Sequence, residues 1–321
     1  MGKLASNRVV DAHASELCGG YRPQKFAAVK HILKTVAVKN EAGSFMEFAA
    51  DASVLRENLN RALGDARKRI NMKVGKSSYA AGEVSLEVET IDRELRNVPD
   101  ANHDDYARKK DELAFDSQLL LMEYSAAQIM KNTANYNTNN AITLSGSAQW
   151  QNSTATPIKN LRDWVWIIAL QNGVQPGDLG IGFAPKPKRA LVDSADARDR
   201  VKYTGKEVTL EALKSWLEVK ECVDLTGMYA STFNPDDVND VTFTTIFDDE
   251  VFVYIPVDKP TAADPLAGGI AEVGQPIVTR YRDEPKSADV VAVDRTWGIF
   301  WKPNNRKILV AKAVSGLPAL V

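Results

Sequence analysis

Residues 111–132, DELAFDSQLLLMEYSAAQIMKN, constrain the fold more than any other stretch of this 321-residue chain. Phe115, Leu119, Met122, Ala126 and Ile129 recur at intervals of four and three, the spacing that lines up apolar side chains along one face of an α-helix. Leu113, Leu120, Tyr124 and Ala127 form a second stripe beside the first. With Asn102 or Asp104 as a cap beyond Pro99, the spacing predicts a helix over about 104–131, about 40 Å long at 1.5 Å per residue. The run NTANYNTNNA stops it, because Asn competes with the helix for its own backbone. Two stripes require cover from two directions.

Around this helix the chain turns to strand and loop composition. Residues 1–50 mix Gly19, Gly20 and Pro23 with short apolar runs such as ILKTVAV, the composition of an extended arm that needs another surface to lie on. Leu55, Leu59, Ala62 and Ala66 then fall at helical spacing, predicting an amphipathic helix over about 53–69. From Ile70 the period becomes two. Ile70, Met72 and Val74, the turn-rich GKSSYAAG, and Val84, Leu86 and Val88 predict a projecting hairpin over 70–91. IKNLRDWVWIIALQN, at 158–172, reads as a second helix with Leu161, Trp164, Ile167 and Ile168 inward, and TLEALKSWLE, at 209–218, as a third. VTFTTIF and EVFVYIPV are strand-like. DVVAVDRTWGIFWKPNNRKILVAKAV reads as two strands around a KPNNRK turn that close the chain, and no internal repeat is evident.

Composition excludes several function classes. No apolar run approaches the roughly 18 residues of a membrane span, so no membrane partner is expected. The start, MGKLASNRVVDAHASELCGG, lacks the apolar core of a secretory signal, and the chain is expected to stay in the compartment where it is made. Cys18 and Cys222 are the only cysteines and stand in no metal spacing, which fits a reducing cytosol. Lys plus Arg total 40 against 42 for Asp plus Glu, so any contact with DNA must be local and non-specific.

No catalytic pattern emerges. His13, His31 and His103 are far apart and none has metal-ligand spacing. LGIGFAP carries Gly180 and Gly182 without the third glycine of a dinucleotide fingerprint, and Ser147 in LSGSAQ does not fit a nucleophile elbow. Asp236, Asp237, Asp240, Asp248 and Asp249 lack the Gly and Glu placement of a calcium loop and read as a solvated loop. No catalytic residue, cofactor or metal site is therefore expected. The basic run RALGDARKRINMKVGK places Arg61, Arg67, Lys68, Arg69, Lys73 and Lys76 at the base of the predicted hairpin. It reads either as a solvated face that keeps an exposed edge from aggregating or as an ionic contact with a neighbouring subunit.

An arm, a hairpin, a very long helix, a compact mixed domain and closing strands occur here in one order. In that order, and in DELAFDSQLLLMEYSAAQI, ITLSGSAQW, PIKNLRDWVWII, GVQPGDLGIGFAPKPKRAL, VKYTGKEVTLEALKSWLEV and YRDEPKSADVVAVDRTWGIFWKPNNRKILV, the sequence resembles the major capsid proteins of tailed bacteriophages with the HK97-type shell fold. The resemblance spans roughly 70–315. It implies an α+β fold with an N-terminal arm at 1–65, an extended E-loop at 66–98, a peripheral domain with a spine helix at 99–157 completed by closing strands at 286–321, and an axial domain at 158–285. The two stripes of the spine helix would face the closing strands on one side and the arm or E-loop on the other.

As function, the resemblance implies a non-enzymatic subunit that self-assembles as hexamers and pentamers into an icosahedral head around double-stranded DNA. It would be assembled in the host bacterial cytoplasm and end in the virion. Portal and decoration proteins are implied as partners, and the lack of a long leading segment implies a separate scaffolding protein or a segment already removed. Arg67, Lys68, Arg69, Lys73 and Lys76 are the candidate inter-subunit contacts. An encapsulin-like compartment and a cytosolic enzyme with an unrecognised site are the alternatives.

Overall fold

The computed structural model describes residues 8–20, 25–48, 74–99, 102–202, 207–234, 240–257, 267–302 and 306–317. In chain order the strands are β1 (Val9–Val10), β2 (Thr35–Val38), β3 (Ala42–Phe48), β4 (Val74–Ala80), β5 (Gly82–Ile91), β6 (Ala141–Thr143), β7 (Gly180–Phe183), β8 (Glu221–Asp224), β9 (Met228–Phe233), β10 (Val241–Thr245), β11 (Glu250–Tyr254), β12 (Gly268–Asp283), β13 (Ala288–Trp301) and β14 (Ile308–Lys312). The α-helices are α1 (Ala12–Gly20), α2 (Asp92–Leu95), α3 (His103–Lys131), α4 (Pro157–Asn172), α5 (Pro185–Asp193), α6 (Ala195–Val201) and α7 (Leu210–Leu217). A π-helical turn occupies Ala28–Ile32. The helix predicted over 53–69 lies outside the described residues.

Helix α3 is the predicted long helix, 29 residues or about 43 Å end to end. Of its first stripe Phe115, Leu119, Met122 and Ala126 are buried and Ile129 is half-buried; Leu119, Met122 and Ala126, with the neighbouring Met130, pack with Phe252, Tyr254, Ile308 and Val310 from one sheet, Ile270 and Trp297 from another, and Phe26–Leu33 of the amino-terminal segment. The second stripe behaves differently. Ala127 is buried and Leu120 half-buried against the same core, yet Leu113 is 54% exposed and Tyr124 is also open, so among the described residues the stripe is covered at two of its four positions. The sequence pattern marks a side chain as apolar without saying whose surface covers it.

The sheet ordered β6-β14-β11-β7-β8 is buried on both faces. Along β11 and β14 the alternation is clean: Phe252, Tyr254, Ile308 and Val310 point toward α3, and Val251, Val253, Leu309 and Ala311 toward α4. Helix α4 begins with Pro157 at its first turn and ends where Gly173 adopts a left-handed φ of 65°. It buries Leu161, Trp164 and Ile168 as predicted, with Ile167 only half covered. The predicted third helix is α7, whose first turn is capped by Thr209 Oγ1 accepting the Ala212 N–H at 3.2 Å.

The other large sheet runs β1-β12-β13-β5, with β2 parallel to β12. It corrects one expectation from the sequence: 70–91 is not a hairpin, since β4 and β5 follow one another through Ala81, but β4 pairs with β3 and β5 with β13. The two strands expected around KPNNRK are β13 and β14, and they lie in different sheets, β14 between β11 and β6 under α4. β12 pairs with β13 from Gly268↔Trp301 to Asp283↔Ala288, across the boundary expected at 285/286. Period-two alternation identifies a strand and its faces, and is silent on which strand lies alongside.

Arg280 fastens the amino-terminal segment to this body. From β12 it donates through Nε to Asp11 Oδ2 at 2.8 Å and through Nη2 to Asp111 Oδ2 at 2.7 Å, linking the start of α1 to α3. Asp11 Oδ1 also accepts the Ala14 N–H at 2.9 Å, capping α1. That backbone bond first, and the guanidinium second, hold the Asp11 carboxyl below its ordinary value.

Two outcomes follow from this packing. Gly298 faces the link between β4 and β5, where a Cβ would lie 1.9 Å from the Ala80 carbonyl oxygen; Gly298→Ala is expected to cost about 1–3 kcal/mol, read from the denaturation midpoint. Because Asp11 is depressed in the folded state, its contribution is present above the ordinary value of 3.8 and is lost as pH falls below it. In Arg280→Met, amide exchange over 12–20 should be faster at pH 6, and its further rise on going below pH 4 should be smaller than in the parent.

Candidate assembly surface

The features that stand out on the surface are strands and helix faces with no cover among the described residues. The ribbon of β3 and β4 runs in register from Ala42↔Ala80 to Phe48↔Val74. Its root is fixed by Phe45, which is buried with its ring 4.2 Å from that of Phe300 and 4.7 Å from that of Tyr79. Beyond the root the backbone of Gly75 and the side chains of Lys76 and Ser78 face solvent. Lys76 therefore sits on the exposed ribbon, opposite Met46. Arg67, Lys68, Arg69 and Lys73 lie outside the described residues.

A second ribbon, β9 with β10, was not singled out by the sequence reading. Val241, Phe243 and Thr245 share one face of β10, and a register shift between Thr242 and Phe243 places Phe233, Ala230 and Met228 opposite them. The bulge thus collects Met228, Phe233 and Phe243 on one side. All three are exposed, Phe243 at 66%. Tyr229, adjoining Met228, meets the Tyr124 ring edge-on at 5.3 Å between centroids, which seats the ribbon against α3. Two-stranded ribbons are marginal in water by themselves. The signal in the sequence was the alternation in VTFTTIF, which marks a strand but not a bare one.

Helix α4 carries a third open region, with Trp166 exposed and Leu170 76% exposed on the side away from the sheet. Beside it a cleft of about 300 Å³ is lined by Arg162, Trp166, Pro176 and Trp216, and Arg162 closes one wall by donating to the Trp216 carbonyl at 2.9 Å. A larger cleft, of about 520 Å³, lies between α3 and β12 and includes Val9, His103, Lys110 and Arg280. Its charged groups are committed: Arg280 to Asp11 and Asp111, and Lys110 to Glu94 at 3.5 Å.

The residues weighed for chemistry are not brought together. His103 Nε2 lies 2.9 Å from the Val98 carbonyl, His31 Nδ1 is 3.5 Å from Glu221, and His13 is an exposed residue of α1. Asp248 pairs with the buried Lys186, Asp249 accepts the Ser315 N–H at 2.7 Å, and Asp240 faces Asn234. Asp236 and Asp237 lie outside the described residues. Ser147 belongs to a short 3-10 turn, Gly146–Ala148. Among the described residues no group of three or more His, Cys, Asp or Glu side chains is placed to hold a metal ion, and no helix is long and apolar enough to cross a membrane.

The arginines of the β12–β13 pair meet carboxylates. Arg295, buried in β13, donates to the Cys18 carbonyl at 3.1 Å, and its Nε lies 3.3 Å from Glu272 of β12. At the edge of the same sheet Arg282 binds Asp92 and Asp289, which raises the guanidinium above its ordinary value and lowers the Asp92 carboxyl. Burial pushes the Cys222 thiol up to about 12, so it is not a poised nucleophile.

No protein-family model matches the chain, and no curated protein sequence does so. Solved structures do. A phage-related protein from Bordetella bronchiseptica RB50 is 24% identical, with a TM-score of 0.76 over 97% of this chain and 99% of that one. The capsid of the cyanophage P-SCSP1u superimposes with a TM-score of 0.56 at 10% identity, covering 88% of this chain and 86% of that one. The mature capsid of bacteriophage PhiM1 gives 0.55 at 13% identity, over 93% and 89%. The mixed helix-and-sheet architecture described above is the fold of phage capsid proteins.

Proposed function

We propose that this chain is the structural subunit of a phage head, self-associating as hexamers and pentamers into an icosahedral shell around double-stranded DNA. The observation that carries this reading is the set of open elements on a capsid fold: the β3–β4 ribbon, the Met228–Phe233–Phe243 face, and the Leu113 end of α3. A monomer would leave these in water, whereas repetition of one subunit covers each patch many times over. A specific contact needs to bury only about 1,200–2,000 Å².

In this reading the amino-terminal segment is the arm, α3 is the spine, and the unit around α4 is the axial domain. The β3–β4 ribbon belongs to the E-loop, which in this reading extends back to about Ala42. The chain acts without a cofactor and contacts packaged DNA weakly, in keeping with its near-zero net charge. A separate scaffolding protein, a portal and decoration proteins are its further partners, with assembly in the bacterial cytoplasm.

Particle sizing and electron microscopy test the proposal. Expressed with its scaffold, the protein should yield closed particles, and a species that stays near 35.3 kDa under all such conditions would rule out the shell. Nuclease-protected DNA in particles from infected cells separates a phage head from an encapsulin-like compartment. Reversing Arg67, Lys68 and Arg69 to Glu should suppress particle formation while leaving the circular dichroism of the monomer intact, since in this reading their charge steers docking between subunits. The double variant Phe233→Ser, Phe243→Ser should likewise keep its fold and raise the concentration needed for assembly by tenfold or so, about 1.4 kcal/mol.

A further inference from the structure

The β1-β12-β13-β5 sheet has two unlike faces. Ala14 and Cys18 of α1 and Ala114 and Phe115 of α3 pack on one of them, against Val278, Val291, Val293, Leu86 and Val88. The register sets the other, because residues opposite one another in an antiparallel pair share a face. Tyr281, Val290 and Glu89 form one row across it. Val10, Thr279, Ala292 and Glu87 form the next, and Ile277, Asp294 and Ser85 a third, followed by Thr296 and Glu83. Val290 and Ala292 are buried in the middle of this face, whereas Val10 and Ile277 on one margin and Glu83, Ser85, Glu87 and Glu89 on the other are exposed.

Strand β5 thus presents three carboxylates and no cation along its solvent-facing side. Arg8 Nη2 lies 3.3 Å from Glu87 Oε1, with its guanidinium 4.7 Å from the centre of the Tyr281 ring, and Lys286 Nζ lies 2.9 Å from Glu89 Oε2. Glu83 and Asp294 form no ion pair among the described residues. A face acidic along one margin and apolar along the other suits a partner that carries cations beside apolar side chains.

The chain contains such a stretch. From Arg61 to Lys76 it has six cations, Arg61, Arg67, Lys68, Arg69, Lys73 and Lys76, against a single carboxylate, Asp65. Just upstream Leu55, Leu59, Ala62 and Ala66 recur at helical spacing. Residues 49–73 lie outside the described set and join β3 to β4 at the end of the ribbon away from its root, since Phe48↔Val74 is the last rung and Ala42↔Ala80 the first. That rung is about 20 Å along the ribbon from the root, at 3.3 Å per residue. The adjoining Gly75 and Lys76 face solvent.

We propose that the acidic face along β5 is the docking site for this basic stretch of a neighbouring copy, with Arg67, Lys68, Arg69 and Lys73 of one subunit set against Glu83, Glu87 and Glu89 of the next. The inference rests on the shell reading above, and it names the surface that receives the expected inter-subunit cations. The acidic and basic patches are different surfaces of one chain, so the contact is head to tail. A contact of that kind repeats around a ring, as hexamers and pentamers require. Opposite charges steer the encounter and fix its orientation, while Val10 and Ile277 supply apolar area beside them.

Assembly of the full chain with its scaffold tests the contact. The variant Glu83→Lys, Glu87→Lys, Glu89→Lys should raise the concentration needed for particles about tenfold or more. Adding Arg67→Glu, Lys68→Glu and Arg69→Glu to it should restore assembly to within about threefold of the parent. An acidic-face variant that assembles like the parent overturns the proposal, as does a combined variant no better than its components. If circular dichroism shows that the reversals disturb the fold, parent particles grown from an equal mixture of unlabelled and isotope-labelled protein decide. A carbodiimide, which condenses an adjacent amine and carboxylate to an amide with loss of water, should link Lys68 or Lys73 to Glu83, Glu87 or Glu89 in mixed-isotope pairs. Links confined to single-isotope pairs place the stretch on its own copy, and the absence of links to those three glutamates places it elsewhere; either result ends the proposal. A parent that forms no particles removes the shell and this contact with it, whereas a parent that assembles alongside an equally competent acidic-face variant removes this contact alone.

Discussion

Leu119, Met122, Ala126 and Met130 of α3 lie in one core with residues of both large sheets, and this contact places the rest of the molecule. The β6-β14-β11-β7-β8 sheet is sandwiched because its other face has α4 to cover it; the β12–β13 pair reaches the same helix through Ile270 and Trp297. Each of the buried Leu, Ile and Met side chains among these contributes about 1.5–3 kcal/mol, set against the ordering of the chain that presents it. The helix is useful here for its length. Its 29 residues reach both large sheets and the amino-terminal segment from one element.

Polar groups then decide how the secondary layers attach. Arg280 draws Asp11 and Asp111 together, while Arg295 and Glu272 lie buried between β12, β13 and the carbonyl of Cys18. Such buried pairs are not a large net source of stability, since desolvation takes back much of the attraction. Their effect is on register: a strand shifted by one position would leave a guanidinium or carboxylate buried without its partner. The amino-terminal segment is thus held in a defined place by a small number of directed contacts, in contrast to the continuous apolar seam under α3.

Much of this was legible in the sequence where the local pattern was sufficient. The long helix and α4 were readable to within a residue or two, because 4, 3 spacing, an initiating proline and a left-handed glycine are all local signals. Partners were not readable. Val84, Leu86 and Val88 announced a strand, but the neighbour of β5 proved to be β13, some two hundred residues away, because two adjacent alternating runs look like a hairpin whether or not they pair. The exposed Phe243 face depends on a one-residue bulge that leaves no mark in composition. Buried Glu123, whose carboxylate accepts the N–H groups of Ala28 and Val29, did leave one, as a lone carboxylate within LLLMEYSAAQIM, although those partners, 95 and 94 residues upstream, could be known only from the fold.

The passage from β4 to β5 through Ala81 has a mechanical meaning. β5 is bonded to β13 along its length, and β4 joins it through the single residue Ala81, with Ala80 packed on Gly298 of β13. A tug on the ribbon along its axis is delivered lengthwise to β5, whose rungs from Gly82↔Trp297 to Ile91↔Ala288 must then slip together. Hydrogen bonds loaded in shear share the force, whereas bonds loaded by peeling fail one after another. Tension applied at the outermost part of this chain is therefore met by a whole strand ladder at once.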